Sequence, residues 1–156
     1  MIGYALHRDP VWRERANFIV NAPIEESSTI HTEQLWTRRD PATQLHEICC
    51  IPFLIYDLAL GDMVAVSAVE DGSYVLDRVI AASGHLTFRI YFGQTEPRLQ
   101  ADVMTDLAKA PIRMERFSEN VVALDIEQKD SPQRLADYLA QAQDEGKLVY
   151  ETGRTL

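Results

Sequence analysis

Cysteine is scarce in this chain of 156 residues: there are two, adjacent as Cys49-Cys50, inside the apolar run Ile48 to Leu54. Neighbouring thiols make neither a disulfide framework nor a zinc knuckle, and alternation along a strand points them to opposite faces, as small buried residues kept reduced. No apolar run approaches the roughly 20 residues that span a bilayer. Met1 to Asp9 has neither the apolar segment nor the small-residue cleavage site of a signal peptide, so the expectation is a cytoplasmic protein without membrane contact. Basic charge is short as well: 15 Lys and Arg stand against 24 Asp and Glu, a net charge of -9. That balance disfavours phosphate-tracking nucleic-acid surfaces and favours a neutral or basic protein partner.

The common chemical motifs are absent. No Gly-x-Gly-x-x-Gly, Gly-x-x-x-x-Gly-Lys-Ser/Thr, His-Glu-x-x-His or Gly-x-Ser-x-Gly occurs, which removes dinucleotide, P-loop, zincin and hydrolase-elbow chemistry. The histidines, His7, His31, His46 and His85, have no ligand-spaced neighbours, so no metal and no cofactor is expected.

What is present is a folding composition, 46% hydrophobic and 25% charged, without low-complexity tracts or repeats. The second half reads most clearly. Leu86 to Phe92 alternates, with Leu86, Phe88, Ile90 and Phe92 on one face, as a half-buried strand does. Thr95 as cap and Pro97 in the first turn open a helix carrying Leu99, Val103, Leu107 and Ala108, which stops before Pro111. Ile112 to Phe117 and Val121 to Ile126 form a hairpin around Ser118-Glu119-Asn120. Ser131, Pro132 and Gly146 bracket a second helix with Leu135, Tyr138, Leu139 and Ala142 on one side. Leu148 to Tyr150 closes the series, whose order β-α-β-β-α-β predicts a ferredoxin-like split βαβ unit.

The first half is β-rich. Ala16 to Ala22, Glu33 to Arg39, Leu45 to Phe53, Met63 to Val69 and Tyr74 to Ala81 read as short strands, the last two a hairpin around Asp71-Gly72. They predict a small barrel or curled antiparallel sheet, with Phe53 to Leu60 as a turn of helix plugging one end. The fold class is therefore α+β, a barrel-like subdomain over 1-83 and a ferredoxin-like subdomain over 84-156, joined in one compact unit.

Ile51-Pro52-Phe53, Leu60-Gly61-Asp62-Met63-Val64, Ser83-Gly84-His85 and Arg89, with Trp36 upstream, together resemble the pattern of an uncharacterised bacterial family, domain of unknown function 4265. The resemblance covers most of the chain. It implies a soluble bacterial protein and carries over no catalytic residue.

Asp62, His85 and Arg89 are the candidate chemical trio, since loop ends present polar groups, an imidazole beside a carboxylate can act as base, and a guanidinium can hold an anion. Structural roles for the same residues are an Asx turn at Asp62, a surface turn at His85 and a cross-strand pair at Arg89. His46 and Cys50, four apart on one strand, would stand about 13 Å from each other and form no dyad. Trp36, Tyr56, Asp57 and Tyr91 are the candidate binding residues. RNA stacking on Tyr91 lacks the basic, glycine-containing signature of RNA-recognition sheets.

The leading expectation is a non-catalytic acidic binding module that regulates or neutralises a protein partner, as immunity, antitoxin or regulator proteins do. The alternative is a small enzyme or ligand-binding domain with a cleft at Asp62, His85 and Arg89. A homodimer through Met114, Phe117 and Tyr150 is a further option, the same residues serving equally as core.

Overall fold

The computed structural model describes residues 3-24 and 29-154. Six strands come first, β1 (Gly3–Leu6), β2 (Phe18–Pro23), β3 (Ile30–Arg39), β4 (His46–Ile48), β5 (Met63–Ala68) and β6 (Tyr74–Ala81), and burial alternates along β2, β3 and β4. They hydrogen-bond in the order β1-β3-β2-β6-β5-β4, and a further β3–β4 pairing closes β2 to β6 into a five-stranded barrel, with β1 parallel to β3 outside the ring. The curled-sheet alternative is thereby replaced by closure. Ala22, Leu35, Ile48 and Val64 fill the ring, joined by Cys50 and Leu58 from the following loop.

The remaining elements are β7 (His85–Tyr91), α1 (Pro97–Ala108), β8 (Arg113–Arg116), β9 (Val121–Glu127), α2 (Pro132–Asp144) and β10 (Val149–Thr152). The strands form a four-stranded antiparallel sheet, order β10-β7-β9-β8. One face is apolar: Phe88, Ile90, Val122, Leu124 and Ile126 pack with Val103 and Leu107 of α1 and Leu135, Leu139 and Ala142 of α2 in a single cluster. The other face carries Thr87, Arg89, Glu115 and Asp125, all buried. This second face turns toward the barrel, and the molecule is therefore layered as helices, sheet and barrel.

Several expectations needed correction. The run Leu45 to Phe53 is a strand only to Ile48; residues 49-62 form an extended loop without a helical turn, so nothing helical plugs the barrel. Cys49 and Cys50 consequently lie past the strand and are both fully buried rather than on opposite faces. The strand β1 carries only four residues, too few for a recognisable period. Thr95 does not cap α1: Glu96 holds the cap position, and the Thr95 hydroxyl donates to the Lys147 carbonyl at 2.8 Å. Ser131 does sit at the cap of α2, in the left-handed region at φ 64°, without a side-chain bond. Met114 and Tyr150 pack against the helix-side core and Phe117 against Phe53, each half-buried.

Leu139 is fully buried at the centre of the helix layer. Its replacement by Ala is expected to cost about 2–5 kcal/mol by lost burial plus a cavity. Equilibrium urea denaturation checks this; an unchanged midpoint would contradict the packing.

Candidate functional site

Much of the loop over residues 49-62 is buried between barrel and sheet, and while Cys49 and Gly61 donate to the strand carbonyls of Trp36 and Ile48, the N–H groups from Ile51 to Ile55 need other acceptors. Two carboxylates provide them. Glu33, on β3, accepts from the N–H of Phe53 at 2.8 Å, Leu54 at 2.8 Å and Ile55 at 3.3 Å. Glu115, on β8, accepts from Ile51 at 2.6 Å and Val11 at 3.3 Å. His7, just past β1, bridges them: Nε2 donates to Glu33 and Nδ1 to Glu115, each at 2.7 Å. The ring also stacks on Phe53, centroids 4.0 Å apart and planes 7° from parallel.

Burial by itself would lower the His7 pKa, but the neighbouring Cys50 and the carboxylates of Glu115 and Glu33 outweigh it and push the group up to about 12. An imidazolium between two carboxylates is thus the stable state. Removing one member of such a buried set leaves an uncompensated charge, at a cost of about 3–5 kcal/mol.

Arg89 continues the same layer. Its guanidinium donates to the carbonyls of Pro52 at 3.3 Å and of Ile55, and pairs with Glu151 of β10 at 3.2 Å. Asp62 binds the far end of the loop, one oxygen accepting from Ala59 N–H at 2.9 Å and the other from Ser83 N–H at 2.8 Å. Gly61 precedes it with φ 84°, a conformation that favours glycine, and a Cβ there would stand a tight 3.1 Å from that of Ser83.

The expected trio is therefore only partly assembled. Asp62 and His85 line one cavity of about 180 Å³, while Arg89 is not among its walls and is committed to the loop. The carboxylate beside His85 is Asp125 and not Asp62: Nδ1 lies 3.0 Å from both Asp125 oxygens. Burial raises the Asp125 pKa, with His85 and Arg113 acting against it. Trp12 meets the His85 ring edge-on at 5.9 Å.

Of the binding candidates, Tyr56, Tyr91 and Asp57 lie on the exposed surface, and Tyr56 and Tyr91 share a region. Arg89 stands 4.8 Å from the Tyr56 ring, and the Tyr56 hydroxyl donates to Glu151 at 2.6 Å. Glu151 is opposite Arg89, and Val149 opposite Tyr91, so both pairs project from the same sheet face, about 7 Å apart along the strands. Tyr56, Tyr91 and Val149 are 43%, 53% and 58% exposed. Trp36 lies elsewhere, on the outside of the barrel opposite Ile19, half-buried under the Arg13 guanidinium at 5.3 Å.

His46 and Cys50 do not form a pair. His46 bonds Thr37 Oγ1 at 2.8 Å from inside the barrel, its pKa lowered by burial and by Arg39, whereas Cys50 sits beside His7. His7, Glu33, Glu115 and Asp125 escaped sequence reasoning: they come from four distant segments and no local spacing links them. Among the described residues, no group of three His, Cys, Asp or Glu side chains can hold a metal ion. No helix among them is long and apolar enough to cross a membrane.

The family model described as "Domain of unknown function (DUF4265)" matches residues 33–150. No curated protein matches. A solved structure, "Novel crystal structure of a hypothetical protein from Neisseria gonorrhoeae", is similar with a TM-score of 0.73 and 23% identity, over 88% of this chain and 96% of that one. It shows the fold.

Burial and Glu47 push the Cys49 thiol up to about 12, and burial raises Cys50 despite His7. Neither thiol is expected to react with a disulfide reagent in native buffer, and both should react once the chain is unfolded. Rapid labelling of one thiol in the native state would contradict their burial.

Proposed function

We propose, on the premise that the chain belongs to the family DUF4265, that it is a non-catalytic acidic binding module regulating or neutralising a protein partner. The observation that carries this reading is the exposed group Tyr56, Tyr91 and Val149 beside β10, which stands last in its sheet. Tyrosines supply large contact area at low entropic cost and are enriched where partners bind, and an edge strand offers unpaired backbone groups. The net charge of -9 steers a basic partner. Immunity, antitoxin and regulator proteins of the cytoplasm are the model for such a role.

The internal use of ionisable side chains supports the same reading. His7, Glu33, Glu115, Arg89 and Asp62 are engaged with backbone or with one another, which leaves them little freedom for turnover. The β-α-β-β-α-β succession with strand order β10-β7-β9-β8 supports the ferredoxin-like reading of the second half. A second reading, a small-ligand site, is supported by the cavity that Asp62 and His85 share.

The test is native mass spectrometry and affinity capture from the host, comparing the wild type with Tyr91→Ala and Val149→Asp. Binding centred on this face predicts a partner retained by the wild type and weakened at least about tenfold in both variants, each still folded by circular dichroism. Equal retention by all three proteins would sink the assignment of this surface.

A further inference from the structure

The barrel seam between β2 and β6 is closed by a single pair in register, Asn21 with Val75, and beside it the surface opens into a groove of about 710 Å³. Burial alternates along β2 and β3, so Ile19 and Asn21 point outward together with their register partners Trp36 and Gln34. An apolar pair thus lies about 7 Å along the strands from a pair of amides. Arg13 stands 5.3 Å from the centre of the Trp36 ring but is not a wall of the groove, which meets the indole from another side. Across the seam Tyr74 meets Phe18 edge-on at 4.8 Å and walls the β6 side.

The fold makes no use of the two amides. Asn21 Oδ1 is buried without a hydrogen-bond partner, and neither Asn21 Nδ2 nor the Gln34 amide bonds any described residue. An orphaned buried acceptor is rare in a folded chain, and a half-turn of the amide about its last bond presents either end of Asn21 to a guest. Asn17, also in the wall, accepts from the Arg39 N–H at 2.9 Å and keeps its Nδ2 unbonded among the described residues. The wall also lacks charge. A quarter of the chain is Asp, Glu, Lys or Arg, yet none of the ten described wall residues is. A phosphate would find no counter-ion in such a wall. Amides that both donate and accept, set beside an indole and an isoleucine, match a neutral molecule with many hydroxyl groups on a ring that has an apolar C–H face.

We propose that this groove binds a neutral saccharide chain, one pyranose ring lying against Trp36 and Ile19 while hydroxyl groups to either side bond Asn17 and the Asn21 and Gln34 pair. The proposal goes beyond the partner-binding reading and is independent of it, since the groove lies on the barrel and Tyr91 on the four-stranded sheet.

The test uses the full chain labelled with 15N, titrated at neutral pH with cellotetraose, maltotetraose, tetra-N-acetylchitotetraose and, as a different class, decaproline. The side-chain amide signals of Asn21 and Gln34 and the indole signal of Trp36 are followed. The expected result is a saturable shift of these signals with at least one saccharide and none with decaproline. Trp36→Ala is expected to weaken that binding at least about tenfold. Because Trp36 also packs against the barrel core, Gln34→Ala serves as second variant. It breaks no hydrogen bond among the described residues and is expected to weaken binding about fivefold at unchanged thermal stability. Saturation by decaproline instead would overturn the saccharide class in favour of an extended peptide. No saturable shift with any of the four, or undiminished binding by Gln34→Ala, would overturn the site itself.

Discussion

An imidazolium held between two buried carboxylates is the constraint on which the remaining architecture depends. Glu33 belongs to the barrel, Glu115 to the four-stranded sheet, and His7 follows the strand appended outside the barrel. Each carboxylate also accepts backbone N–H groups of the loop that runs between the layers. The loop can be buried only because its polar backbone is satisfied there, and two anions so close together are tolerable only with a cation between them. Three distant segments are in this way fixed to one another by a few short, charge-assisted bonds.

The sheet makes this possible by having two unlike faces. Alternate residues of β7 and β9 build an ordinary apolar core with the helices, while the intervening ones present Thr87, Arg89 and Asp125 to the loop and the barrel. Ala123, the small residue of that second face, lies between Arg89 and Glu115 in register and receives Ile51 and Phe53. A polar, fully engaged layer of this kind confers a definite arrangement of barrel on sheet more than it confers stability. It also engages Arg89, one of the three chemical candidates, with the loop, while Tyr91 and Val149 stay on the surface.

The helices, the strands β7 to β10 and the hairpin of β5 and β6 were legible in the sequence because their burial is periodic and their ends carry proline, glycine or turn residues. The loop over 49-62 was not. An apolar run such as Ile48 to Leu54 looks the same whether it pairs in a sheet or lies buried with its N–H groups bonded to remote carboxylates, and the acceptors here are 20 and 64 residues away in the chain. The cavity residues Asp62 and His85 could be singled out as polar groups at loop ends, but Asp125 reads as an ordinary strand position until the pairing of β7 with β9 sets Asp125 opposite Thr87 and its carboxylate against the His85 ring. His7 carried no signal at all, since what distinguishes it is Glu33 and Glu115, and these meet only in the folded chain.

The most direct test of this central bridge is the protonation state of His7, followed by its ring 15N resonances as pH rises. The folded pKa lies above the unfolded value, so the stabilisation is complete below about 6.5 and is lost as pH climbs toward about 12. The bridge predicts that both ring nitrogens stay protonated well past pH 9 in the folded protein, while the unfolded chain titrates near 6.5. A folded-state His7 that loses a proton near neutrality would show that no imidazolium links the two carboxylates, and the account of how barrel, loop and sheet are joined would fail with it.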